Sequence, residues 1–163
     1  MGGVVVGRGT KTAGEELDNA IVNYIKMKYG MLIGPNSAEK IKIDVETNNL
    51  VRGRDLETGL PRSVKLTKSE INEAVSLELT KIVKLVKSVL DETAPELMED
   101  VLKRGIVLVG NGVKLKNLAE MIESETKICT VVAEDPGMVI IKGAGILVED
   151  GRLLDQVKQV SLG

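Results

Sequence analysis

Four short stretches of this 163-residue chain carry residue types that raise the question of a binding role. Gly110-Asn111-Gly112 falls between an apolar run, Ile106 to Val109, and the start of a helical pattern. Glycines at such a place let the backbone lie close to a ligand, and a helix start offers N–H groups suited to phosphate. A tight strand-to-helix turn needing positive φ accounts for the same residues, and taken alone it is the simpler reading. The pattern is not a dinucleotide fingerprint, because no third glycine follows where that motif needs one.

Glu39 and Lys42 stand three apart and share one face of a short helical stretch. An acid and a base so placed could grip ribose hydroxyls and the rim of a purine. Equally, Glu39 could complete a capping box begun by Asn36, with Lys40 and Lys42 solvated. Gly7-Arg8-Gly9-Thr10-Lys11-Thr12 has the flavour of a phosphate loop but fails its spacing, since Thr10 separates the glycine from the lysine. The polar run Arg52 to Pro61 suits either a contact loop or an ordinary hairpin connection.

Much chemistry is excluded by what is missing. The chain has no His and one Cys, Cys129, which rules out Ser-His-Asp and Cys-His catalysis, makes zinc a poor fit and forbids an internal disulfide. A reducing cytoplasm is the expected compartment. Aromatics are 1% of residues, too few for base-stacking platforms, and a net charge of −2 leaves no footprint for nucleic acid or anionic lipid. No catalytic and no metal-ligating residue is assigned. The start resembles no signal peptide, and the longest apolar runs are too short to span a bilayer.

The elements that must position these residues follow from periodicity. Val4 to Gly7 reads as a strand met almost at the chain start, which suggests that upstream sequence is missing. Thr12-Ala13-Gly14-Glu15 has capping-box spacing, and Leu17, Ala20, Ile21, Tyr24, Ile25 and Lys28 then keep helical spacing up to a stop at Gly30. A second helix opens at Asn36, and Asn48-Asn49 reads as a turn. Leu50 to Arg52 and Ser63 to Leu66 read as a strand pair. Thr67-Lys68-Ser69-Glu70 starts one long helix or two stacked ones, with Ile71, Val75, Leu79, Ile82, Val86 and Val89 on one face. Pro95 starts a short helix, Glu96 to Lys103. The last third alternates: buried strand Ile106 to Val109, helix Lys114 to Ser124, strand Ile128 to Ala133, helix Gly137 to Glu149. That order predicts an α/β sheet.

Taken in sequence order, these stretches resemble the MreB family of bacterial actin homologues. Thr12 to Ile33 resembles the opening of the outer subdomain of its second lobe, and Ser37 to Lys42 its adenosine-side helix. Val51 to Pro61 is similar to its hairpin loop. Ala94 to Leu97 with Arg104 to Gly112 is similar to its adenosine motif. Ala133 to Pro136 with Lys142 to Gly145 is similar to its closing turn and last core helix. The resemblance implies an actin-like (ribonuclease H-like) α/β lobe, the C-terminal half of such a protein. Its inner subdomain would be 1–12 and 78–163, with a smaller α+β subdomain, 13–77, inserted.

It further implies ATP as the cofactor, with Mg²⁺ held mainly by the absent lobe. Gly14, Glu39, Lys40, Ile41, Lys42, Gly110, Asn111, Gly112 and Val113 would face the adenosine side. The phosphate loops and catalytic acids would lie outside this chain, leaving it inactive by itself. The whole protein would self-assemble into cytoplasmic filaments, work with the cell-wall elongation machinery to set rod shape, and touch the membrane only through its other lobe. Three departures stand out: Asn111 replaces the middle glycine of the adenosine motif, Val45 to Leu50 is shorter than the family's acidic linker, and Ile140-Ile141 stands where a small residue is usual. A lobe of a sugar or acetate kinase of the same superfamily, or a stand-alone interaction domain, are the alternatives.

Overall fold

The computed structural model describes residues 4–11, 14–43, 50–114 and 117–153. The chain divides into two compact units, Thr10–Lys84 and Met1–Gly9 with Leu85–Gly163. These bounds differ by a few residues from those expected, 13–77 for the insert and 1–12 with 78–163 for the remainder.

In the first unit, α1 (Gly14–Tyr29) buries Leu17, Ile21 and Ile25, the four-residue steps of a single helical stripe. Gly30 ends it, with its N–H donating to the Lys26 carbonyl at 3.1 Å. Thr12 and Ala13, the first half of the expected capping box, lie outside the described residues, as does the expected turn at Asn48-Asn49. A two-residue strand, β1 (Met31–Leu32), follows; it is too short to show any period in the sequence. The second helix, α2 (Pro35–Ile43), begins one residue before the expected cap. Proline's fixed φ suits the first helical position, so the N–H groups of Ser37 and Ala38 turn back to the Gly34 carbonyl and Asn36 lies inside the first turn.

The strand pair is longer than its apolar core suggested. β2 (Leu50–Asp55) pairs antiparallel with β3 (Pro61–Lys65), and β1 adds to the other edge of β2. Val51 and Val64 face each other across the ladder and are buried, while their polar neighbours point outward. Asp55 closes the loop by accepting from the N–H groups of Glu57 and Thr58 and from the Arg62 guanidinium. These bonds, the Thr58 N–H first, hold its carboxyl down at about 2.

The long helix is a single one, α3 (Lys68–Glu92). Its capping box is reciprocal: the Glu70 N–H donates to Thr67 Oγ1, and Glu70 Oε2 accepts from the Thr67 N–H at 2.8 Å. Ile71, Val75, Leu79 and Val83 form the buried stripe; Ile82 and Val86, expected on that face, are only half-buried. Steps of four carry the stripe to Val83 and leave the other two at its margin. Tyr29 donates to Glu70 and Tyr24 to Glu73, and Lys28 pairs with Glu70 at 2.9 Å, fastening α1 to α3.

In the second unit, Val4 to Gly7 forms no strand: Val4 and Val5 are exposed, and no described strand pairs with them. The backbone bends at Val5 and Val6, and a stretch with no ladder partner is not held in extended form by paired amides. Arg8 pairs with Glu92. After α4 (Pro95–Arg104), β4 (Ile106–Leu108) pairs in parallel with β5 (Thr130–Val132), joined through α5 (Leu118–Thr126) as a β–α–β unit. β4 was expected to be buried; Val107 is 57% exposed. The helix expected from Lys114 starts instead at Leu118, after a short 3-10 turn, Asn111–Lys114. α6 (Val139–Glu149) begins two residues later than expected because the turn runs on through Gly137 and Met138, whose N–H donates to the Asp135 carbonyl at 2.9 Å.

Candidate functional site

The sequence singles out residues in both units, and each group is described in its own unit. On α2 the four residues Glu39 to Lys42 go four different ways. Ile41 is in the core. Lys40 joins Ser37, Ile41, Ile43, Leu50, Val51 and Arg52 around an open pocket of about 550 Å³. Glu39 is exposed. Lys42 turns toward α1, where its ammonium lies 2.9 Å from Asp18 Oδ2, 2.8 Å from Asp18 Oδ1 and 3.1 Å from the Gly14 carbonyl. Its side chain is 12% exposed and that of Asp18 is 17% exposed, so this lysine is not solvated.

Gly14 and Lys42 are therefore brought together. A Cβ on Gly14 would sit 3.4 Å from the Lys42 ammonium nitrogen, so the bare glycine gives the lysine close access to the helix start. Asp18 is the residue that the sequence reading missed. Its signal was available: it sits one position after Leu17, on the flank of the buried α1 stripe, where a carboxylate meets a cation or pays for desolvation.

In the other unit, Gly110, two residues past the end of β4, has φ of 91°, a left-handed conformation that a side chain would strain. Its N–H donates to the Pro136 carbonyl at 2.8 Å, and its carbonyl accepts from Val113. Asn111 lies against the 135–137 turn: a Cβ on Gly137 would come within 2.5 Å of Asn111 Oδ1. The side chain that replaces glycine here is thus lodged over another glycine. Added Cβ atoms on Gly110 and Gly112 would meet nothing within 4 Å. The turn keeps open space beside two glycines, which fits a flat or phosphorylated ligand approaching the backbone.

Among the described residues, no three acidic, His or Cys side chains gather where a metal ion could be held. No described helix is long and apolar enough to cross a membrane. Cys129 is exposed.

Known proteins share this architecture and sequence. The sequence model of the MreB/Mbl protein family matches residues 1–156. Cell shape-determining protein Mbl of Bacillus cereus is 39% identical over 158 residues, which is 92% of this chain and 47% of that protein. Cell shape-determining protein MreB of Escherichia coli is 40% identical over 157 residues, 91% of this chain and 45% of that protein. The chain thus spans about half the length of these relatives. The crystal structure of MreB5 of Spiroplasma citri bound to ADP superposes with a TM-score of 0.84 at 31% identity, over 90% of this chain and 47% of that one. A non-polymerising MamK mutant bound to AMPPNP matches at a TM-score of 0.63 and 19% identity, a likeness of fold alone.

Proposed function

Because the chain belongs to the MreB/Mbl family and has an actin-like fold, we propose that it is the C-terminal half, the second lobe, of an MreB-like cytoskeletal protein and carries an adenosine-nucleotide-binding surface. Unit Thr10–Lys84 corresponds in this reading to the outer subdomain and the other unit to the inner one. The observation that carries the reading is the superposition on ADP-bound MreB5 over nine-tenths of the chain.

Each unit supplies its own contacts. On the outer subdomain, the helix start at Gly14 and the α2 segment Glu39 to Lys42 are assigned to the ribose and base side, with Ile41 in the core beneath it and Lys42 beside Asp18. From the inner one, Gly110 to Val113 lets backbone lie against the nucleoside and α-phosphate; its open glycines support that role. When bound, the nucleotide supplies the phosphoanhydride and, with Mg²⁺, the charge that transfer chemistry requires. This chain's residues hold and orient its adenosine end. The metal site, held mainly by the other lobe, and the phosphate clamps would lie outside this chain, so the chain by itself turns over no ATP. The whole protein would assemble into cytoplasmic filaments that guide wall synthesis with the elongation machinery, with membrane contact through its other lobe.

Nucleotide titration followed by thermal unfolding tests the binding. ADP and ATP raise the melting temperature in proportion to ligand over Kd, by mass action. No shift with millimolar nucleotide sinks the reading. A phosphate-release assay should show no turnover; release at the rate of an intact relative contradicts the assignment of the catalytic groups elsewhere.

A further inference from the structure

We propose that Gly137 is a positioning residue of the nucleotide-binding surface: its missing side chain gives the Asn111 carboxamide a seat, so that the loop 110–112 stays open to a ligand although its middle residue carries a side chain. The inference rests on the nucleotide reading above and deepens it.

The loop after β4 and the turn after β5 lie at the carboxyl ends of two parallel strands, where α/β sheets ordinarily bind ligands. The Gly110 N–H donates to the Pro136 carbonyl at 2.8 Å, and the Met138 N–H to the Asp135 carbonyl at 2.9 Å, so the backbone is pinned on both sides of Gly137. The side chain of Asn111 fills the space above it. A Cβ on Gly137 would fall 2.5 Å from Asn111 Oδ1, 3.3 Å from its Cγ and 3.7 Å from its Nδ2. Neither residue has the positive φ that favours glycine. Position 137 therefore excludes a side chain by contact alone, and position 111 needs room rather than a glycine backbone.

With a methyl group at 137 the pinned backbone resists, whereas Asn111 is exposed and can turn about its Cα–Cβ bond to another staggered rotamer. The room left to it is the space beside Gly110 and Gly112, where added Cβ atoms would meet nothing within 4 Å. A nucleoside lying against the loop needs that same space. Residues 111 and 137 are thus linked: the loop stays open when one of them carries a side chain, and closes when both do.

Gly137→Ala, made in the full 163-residue chain and again in its Asn111→Gly variant, tests this by ADP calorimetry beside the melting temperature. With Asn111 present, the alanine should weaken ADP roughly ten-fold and barely move the melting temperature, because a side chain turns and the backbone stays. In the Asn111→Gly chain the same alanine should change affinity by less than about two-fold, the non-additivity expected of touching residues. Equal losses in both chains would overturn the proposal. So would a lowered melting temperature with unchanged ADP affinity, the signature of a merely structural contact. Loss of all ADP binding in Asn111→Gly would show that the carboxamide itself holds the ligand, and would overturn it too. Without ligand, the side-chain amide resonances of Asn111 should move in Gly137→Ala. Unmoved resonances remove the contact, whereas failure of the unsubstituted chain to bind ADP removes the nucleotide reading itself.

Discussion

The two units spend similar apolar sequence very differently. Of the described residues, fourteen apolar side chains are buried in Thr10–Lys84 and three, Leu118, Ile122 and Ile128, in the other unit. The first unit stacks three helices' stripes and a three-stranded sheet into one core, sealed by Tyr29, Lys28 and Glu70. The second has a two-stranded parallel sheet whose Val107, Val131 and Val132 remain exposed, and a helix, α6, that buries none of Val139 to Glu149 fully. Parallel strands are ordinarily covered on both faces. Hydrophobicity alone thus does not make a core; it makes one only where a second apolar surface lies within reach.

That contrast is sharpest in truncation experiments. Ile25→Ala, at a fully buried site, should cost about 2 to 5 kcal/mol by lost transfer energy plus a cavity. Ile141→Ala, at a side chain 64% exposed, should stay within about 0.5 kcal/mol. Both are read from denaturant midpoints. Equal costs would mean that α6 is packed after all, and the comparison would fail.

Next in size is a backbone lesion confined to the sparse unit. Gly105 has φ of 78°, and a Cβ there would fall 2.6 Å from the Cys129 carbonyl oxygen. Gly105→Ala should therefore cost about 1 to 3 kcal/mol, from strain and from parting β4 and β5. Amide exchange should rise at Ile106 to Leu108 while Leu17 to Ile25 stay protected. Loss of protection in both units together would show that they do not unfold separately.

The smallest effect is one of pH, and it belongs to the dense unit. The Tyr29 hydroxyl, then the Thr67 N–H and Lys28, hold the Glu70 carboxyl at about 2, below its ordinary 4.5. A depressed folded-state value stabilises above the unfolded one and is lost as pH falls through the window from about 4.5 to about 2. Thermal unfolding across that range should show the unit losing stability on acidification, and Tyr29→Phe should flatten the profile. An unchanged profile in Tyr29→Phe would mean that this hydroxyl contributes nothing.

How much of this was legible beforehand depends on the range of the interaction. Leu17, Ile21 and Ile25 announced α1, and Thr67 with Glu70 announced the start of α3, because a helix periodicity and a capping box are written within a few residues. β1 escaped because two residues have no period. The strand expected at Val4 failed because a strand is a property of a pair. At the site, the glycine turn after β4 was legible from its three residues; Asp18's place beside the α1 stripe was legible too, but its pairing with Lys42 was not, since that partner lies on a helix across a strand.

The sequence by itself determined the helices, the capping box of α3, the hairpin, the order of strand and helix in the last third, and the family, since each is set by neighbours along the chain or by motif order. Only the tertiary structure decided that Lys42 pairs with Asp18, that Asn111 rests over Gly137, and that one unit closes its core while the other leaves apolar surface bare. Those outcomes depend on which side chains meet through space, and charge pairing and burial act over a few ångströms whatever the separation along the chain.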